Sequence, residues 1–238
     1  LMRLPLLLNS EEIDKEKTRN LVKLAIDQGI NYFDTAYPYH HGKSEIVFGE
    51  IVKEENLRDK IYIADKMPVW DVKKEEDFYR ILDEQLEKLQ TDHIDFYLLH
   101  AMDKNRWEQV KNLNVTKFLE NAKASGKIRH IGFSFHDNFD AFKKMCDEYS
   151  GFEFCQLQYN YIDEDGEKRT QNPGWQGLKY AAQKELGVIV MEPLRGGLLA
   201  NPPVGIRDIF AKADVPRLPA EWALRYVWES QEVIIALS

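Results

Sequence analysis

The stretch that decides the fold runs from Lys60 to His100, KIYIADKMPVWDVKKEEDFYRILDEQLEKLQTDHIDFYLLH. Its first part, KIYIADK, is short, apolar and rich in isoleucine, as a buried strand is. Its middle, EEDFYRILDEQLEKLQ, is strongly amphipathic at helical spacing. Its end, HIDFYLLH, is a second apolar strand. Strand, helix and strand in this order call for parallel strands joined by a helical crossover.

The same alternation extends in both directions. Upstream, a first short strand is expected around Met2 to Leu4. It is followed by a helix in EEIDKEKTRNLVKLAIDQG, stopped near Gly29, then by INYFDT as a strand and by a helix from Lys43 to about Lys53. Downstream come a helix from Trp107 to Ala124 and the strand IRHIGFS. NFDAFKKMCDEYS is a helix, FEFCQLQYN a strand, PGWQGLKYAAQKELG a helix and VIVMEPL a strand. VGIRDIFAKA and PAEWALRYVWESQ are helical, and VIIALS is the last strand. Eight such strands in 238 residues favour a closed, parallel (β/α)8 TIM barrel over an open doubly wound sheet. The open-sheet signatures, G-x-G-x-x-G and G-x-x-x-x-G-K-[ST], do not occur. With no helix after its eighth strand, the barrel reads as truncated at that point. No repeat or linker divides the chain, so residues 1–238 are expected to form a single domain.

Composition narrows the function. The net charge of −8 opposes binding to nucleic acid or an anionic membrane, and no apolar run reaches the roughly 20 residues of a membrane span. Cys146 and Cys155 form neither a disulfide framework nor a metal pattern. They read as small buried hydrophobes in a reducing cytoplasm.

A barrel carries its chemistry at the C-terminal ends of its strands. In order, those ends hold Asp34 with Tyr39 five residues on, Lys66, His100, Ser134 with His136, Gln156 and Gln158 with Tyr159 and Asn160, and Glu192 followed by PLRGG. Taken singly, each has an ordinary reading as a turn former, a packed ring or a solvated charge. Together, Asp34, Tyr39, Lys66 and His100 describe a general acid. An ammonium lowers a phenol's pKa, a carboxylate holds the ammonium in place, and an imidazole holds a substrate oxygen. Such a set protonates a carbonyl oxygen as it becomes an alkoxide, and it needs an outside hydride donor.

The segments NYFDTAYPYHHGKSE, IYIADK, DHIDFYLLH, GKIRHIGFSFHD, CQLQYN and GVIVMEPLRGG resemble the aldo-keto reductases, in the expected order and over nearly the whole chain. The resemblance implies a tetrad of Asp34, Tyr39, Lys66 and His100, with Tyr39 as proton donor. It implies a small-molecule aldehyde or ketone as substrate and NADPH or NADH as cofactor, with NADPH the family's preference. It places Met2, Arg3, Asp34, Ser134, Gln156, Met191, Leu194, Arg195 and Gly196 along the cofactor. Phe135 and Met191 depart from the residues common in relatives, namely an asparagine after Ser134 and an aromatic ring over the nicotinamide. The likeness is to a bacterial branch of predicted oxidoreductases whose members often continue into a cysteine-rich iron–sulfur segment, which two isolated cysteines do not supply. Tyr37, His40 and His41 read as pocket wall.

Other readings of the same residues are a cofactor-sensing barrel subunit with little turnover and a Schiff-base aldolase using Lys66. A metal-dependent hydrolase would want His-x-His on the first strand, where the chain has MRLP. A retaining glycosidase would want a second carboxylate where the chain has His100.

Overall fold

The computed structural model describes residues 1–163 and 172–237. By residue proximity they form two compact units: Leu1–His100 with Asn105–Phe133, and Ala101–Lys104 with Ser134 onward.

In the first unit, β1 (Tyr32–Asp34), β2 (Tyr62–Met67) and β3 (Ile94–Met102, up to His100 in this unit) pair in parallel and in sequence order. The register sets Asp34 opposite Ala64 and Lys66 opposite Leu98. The helices are α1 (Lys15–Asp27), α2 (Ser44–Glu54), α3 (Glu75–Leu89), α4 (Lys104–Lys111) and α5 (Val115–Ala124). The amphipathic reading of α3 holds. Phe78, Ile81, Leu82 and Leu89 are buried, and Phe78 stacks on Phe118 of α5 at 5.0 Å between ring centroids. The Asp77 carboxylate accepts hydrogen bonds from the Lys73 and Lys74 amides and so fixes the start of α3. Gln90 ends it in the left-handed conformation, at φ 52°.

Helix α2 lies tight against α3 because residue 49 is glycine. A Cβ there would sit 2.4 Å from the Lys88 carbonyl oxygen and 2.6 Å from the Leu89 carbonyl carbon, both main-chain atoms that cannot rotate away. Gly49→Ala is therefore expected to destabilise the protein by about 1–3 kcal/mol, read as a lower thermal midpoint.

The second unit contains Ser134 and Phe135 at the end of β4 (Ile128–Phe135), then α6 (Phe139–Glu148), β5 (Phe154–Gln158) and α7 (Gly174–Gln183). Next come β6 (Gly187–Met191), α8 (Val204–Phe210), α9 (Pro219–Trp228) and β7 (Val233–Ala236). Strands β5, β6 and β7 pair in parallel in sequence order. Cys146 and Cys155 are both buried here, and burial pushes the Cys146 thiol up to about 12.

Two local expectations change. Met2 to Leu4 forms a turn rather than a strand. Pro5 cannot donate to a ladder, and the segment instead folds back through an antiparallel bridge between Leu6 and Ile13. The described residues therefore carry seven strands, and β1 to β7 are the second to eighth strands of the sequence reading. The helix expected from Trp107 to Ala124 is two, because Asn114 turns left-handed at φ 61° between α4 and α5. In α9 the buried face is Ala223 and Val227, while Trp228 is 60% exposed. Ser238, the last residue of VIIALS, lies outside the described residues.

Candidate active site

Asp34, Tyr39, Lys66 and His100 all belong to the first unit, and its three paired strands bring them together. Asp34 ends β1, Lys66 sits one residue before the end of β2, and His100 lies near the end of β3. Tyr39 begins a short helical turn, Tyr39–Gly42, in which His40 and His41 are left-handed at φ 51° and 56°.

Lys66 is the centre of this group and is 1% exposed. Its Nζ donates to Asp34 Oδ1 at 2.5 Å and to the Thr35 carbonyl at 2.6 Å. The same nitrogen lies 5.1 Å from the centre of the Tyr39 ring. The Tyr39 and His100 rings stand edge to face at 6.0 Å, with an interplanar angle of 82°. Asp34 Oδ2 is buried and accepts no hydrogen bond.

The charges follow from this packing. Burial works against the Lys66 ammonium, but the groups around it, Asp34 first, outweigh it, and the pKa of Lys66 is raised. Burial also pushes the Tyr39 phenol up, further than Lys66 pulls it down. Composition of the site alone suggested a lowered phenol, and burial reverses the net direction. Tyr39 thus keeps its proton, as a donor must. Lys66 keeps its proton too, which is the opposite of what a Schiff-base nucleophile requires.

The neighbours of Tyr39, read as pocket wall, each have a defined partner. Tyr37 turns to α3, where its hydroxyl donates to Glu84 at 3.0 Å and Lys88 lies 3.9 Å from its ring centre. His40 Nε2 accepts from the Leu4 amide at 2.9 Å, and burial lowers its pKa. His41 is exposed, 3.8 Å from Glu11. Sequence reasoning missed Trp70, whose ring lies 5.2 Å from that of His100. The available signal was an aromatic residue four positions beyond Lys66, in the turn Val69–Asp71 that follows β2. His130 stacks on Phe96 at 5.0 Å while lying on the surface.

The residues expected along a cofactor divide between the units. Met2 and Arg3 are exposed in the first. In the second, Ser134 is buried, and its Oγ accepts from the Ala101 amide at 2.7 Å, which leaves its own proton to donate. Gln156 is buried on β5, and its Oε1 has no hydrogen-bond partner. Met191 ends β6. Leu194 leads into a tight turn in which Arg195, Gly196 and Gly197 all have positive φ, at 47°, 64° and 95°. Arg195 reaches Asp163 at 3.4 Å, and Asp163 in turn accepts from Gln158 and Asn160. A hydroxyl donor and an orphaned amide oxygen are the two partners that a primary carboxamide needs.

This unit also has a cavity of about 650 Å³, lined by Tyr161, Phe210, Trp222 and Tyr226 among others and containing none of the sequence-derived site residues. Among the described residues, no group of three or more His, Cys, Asp and Glu could hold a metal ion, and no helix is long and apolar enough to cross a membrane.

Compared with known families, residues 6–238 match the model of the aldo/keto reductase family. The chain belongs to that family. Among curated aldo-keto reductases it is similar to YhdN of Bacillus subtilis, 29% identical over 198 residues, covering 79% of this chain and 55% of that protein. It is also similar to the uncharacterized oxidoreductase YrpG of the same organism, 27% identical over 211 residues, covering 80% of this chain and 61% of that one. The chain thus spans less than two thirds of the length of these relatives. Among solved structures, the holo form of an aldo-keto reductase from Bacillus halodurans superposes with a TM-score of 0.74 at 22% identity, covering 94% of this chain and 76% of that one. One from Klebsiella pneumoniae in complex with NADPH gives 0.71 at 22%, covering 94% and 75%. These likenesses give the aldo-keto reductase its fold, the (β/α)8 barrel.

Proposed function

We propose that this aldo-keto reductase reduces an aldehyde or ketone to an alcohol with a nicotinamide cofactor, Tyr39 donating the proton. The observation that carries this reading is the buried Lys66 ammonium, tied to Asp34 and lying 5.1 Å from the centre of the Tyr39 ring, beside His100.

A reduced nicotinamide, when bound, supplies the hydride that the side chains lack. Ser134 and Gln156 suit its carboxamide, the first as donor and the second as acceptor. The turn at Leu194, Arg195 and Gly196 offers a cation and close main-chain approach to a pyrophosphate. Met191, Met2 and Arg3 complete the set on family grounds. The NADPH in the Klebsiella pneumoniae relative favours NADPH over NADH here.

The rest is the work of the chain's own groups. The Tyr39 hydroxyl gives its proton to the carbonyl oxygen as negative charge develops there. The His100 ring orients that oxygen. The Lys66 ammonium stabilises the phenolate left on Tyr39, and Asp34 keeps the ammonium in place and charged. Lys66 and Asp34 are held together before reaction, Lys66 buried and the Asp34 side chain 11% exposed, so their contribution involves little rearrangement during the reaction.

The first test is consumption of NADPH, read by its absorbance, with a panel of aliphatic and aromatic aldehydes. Turnover with at least one is expected. Measurable cofactor binding with no turnover on any carbonyl would instead mark a cofactor-sensing protein.

A further inference from the structure

Behind Lys66 lies a group of buried polar side chains that the proton chemistry does not use. Glu45 on α2, Asp65 on β2 and Gln85 on α3 have no exposed surface, nor does Tyr97 on β3. Gln85 Nε2 donates to Asp65 Oδ2 at 2.8 Å, to the Lys66 carbonyl at 3.1 Å and to Glu45 Oε1 at 3.2 Å. Gln85 Oε1 accepts from the Tyr97 hydroxyl at 2.6 Å. Asp65 Oδ1 accepts from the Lys66 amide at 2.8 Å. Both main-chain polar groups of Lys66 therefore end on this cluster.

Its charges do not balance if both carboxyls are ionised. The groups that face the pair are Lys88 on α3, Lys66 on β2 and the neutral phenols of Tyr97, Tyr37 and Tyr39. Lys88 Nζ lies 3.3 Å from Glu45 Oε2, but it also holds Glu84 at 2.9 Å, and Glu84 accepts from Tyr37. Lys66 Nζ is committed to Asp34 and Thr35. Two dry carboxylates on one amide would repel each other with a single shared ammonium at hand. One proton between them removes the conflict.

We propose that Glu45, Asp65 and Gln85 form a clamp that positions Lys66, and that the two carboxyls hold a single proton between them. Burial, with Glu45 beside it, pushes the Asp65 carboxyl well up. Asp65 is thus the protonated member, and Lys88 lies beside Glu45. The clamp pins the main chain of β2 at Lys66, so the ammonium stays aimed at Asp34 and Tyr39. These are positioning residues, and the proposal rests on the reading of Lys66 as the partner of Tyr39.

The sign of the pH effect follows from the raised Asp65. Its contribution to stability is full below its unfolded value, 3.8, and is lost as pH rises through the folded value. Asp65→Asn cannot ionise, so the stability difference between this variant and wild type shifts in favour of the variant as pH rises. The wild type also shows an infrared carboxylic-acid carbonyl band at neutral pH that Asp65→Asn lacks.

For positioning, Asp65→Asn keeps an acceptor for the Lys66 amide and retains most of kcat. Asp65→Leu removes the acceptor and lowers kcat about 10- to 100-fold with cofactor affinity unchanged. Should Asp65→Leu fail to fold, Gln85→Met removes the donor at similar volume and is expected to lower kcat in the same way. Full kcat in the leucine variant, or in the methionine variant if that is the one that folds, overturns the clamp. Parallel stability curves together with an unchanged carbonyl band overturn the shared proton. Lys66→Met, measured alongside, separates the two readings. If it stays active, the role of Lys66 itself is wrong; if it is inactive while the clamp variants are fully active, only the clamp fails.

Discussion

Tyr39→Phe is expected to lower the rate of carbonyl reduction by roughly a hundred- to ten-thousand-fold, the usual contribution of a positioned general acid. The substitution removes one oxygen and keeps the ring, so the edge-to-face contact with His100 at 6.0 Å survives and the pocket keeps its shape. Cofactor affinity should stay within error of wild type by fluorescence titration, because Tyr39 acts on the substrate oxygen. Activity close to wild type would remove Tyr39 from the chemistry.

Lys66→Met is the second large effect, and it acts on stability as well as rate. The ammonium is 1% exposed and is bonded to a carboxylate whose other oxygen is already unpartnered. Methionine would leave Asp34 as an uncompensated charge, at a cost of about 3–5 kcal/mol. Because the pKa of Lys66 is raised, the pair's stabilisation is full below 10.5, the unfolded value, and fades only as pH rises through the folded one. The deficit of the variant is therefore constant through the neutral range. In the double variant Asp34→Asn/Lys66→Met no charge is buried alone, so most of the stability returns in denaturant unfolding. Activity does not return, since nothing then stabilises the Tyr39 phenolate, and kcat stays down on the order of a hundredfold or more.

The legible part of the chain was its periodic part. KIYIADK, the amphipathic α3 and HIDFYLLH form β2, α3 and β3 close to where the sequence puts them, because burial dictates their pattern. The turn at Met2 to Leu4, read as a strand, was not legible. Met2, Arg3 and Leu4 beside Pro5 carry no period, and the bridge between Leu6 and Ile13 depends on contacts along the fold-back. The break at Asn114 was hidden by apolar residues on both sides of it.

The candidate site divides in the same way. Asp34, Lys66 and His100 were readable because each stands near a strand end, and Tyr39 because it lies five residues beyond one. Trp70 was not, since its approach to His100 depends on the path of a turn. Nothing in the sequence marked Glu45, Asp65 and Gln85 as buried. Only the packing of α2, β2 and α3 shows that they are buried on one amide. The direction of the Tyr39 pKa depends on burial in the same way, and residue types alone suggested the opposite sign.

The central claim is that this aldo-keto reductase moves a hydride to a carbonyl carbon while Tyr39 protonates the oxygen. Mass spectrometry of the product from NADPH deuterated at the nicotinamide C4 tests it most directly. The account predicts an alcohol carrying deuterium on its carbinol carbon with the wild-type protein and essentially none with Tyr39→Phe. Bound cofactor with no deuterated alcohol from any carbonyl offered, or equal labelling in the two proteins, would contradict it.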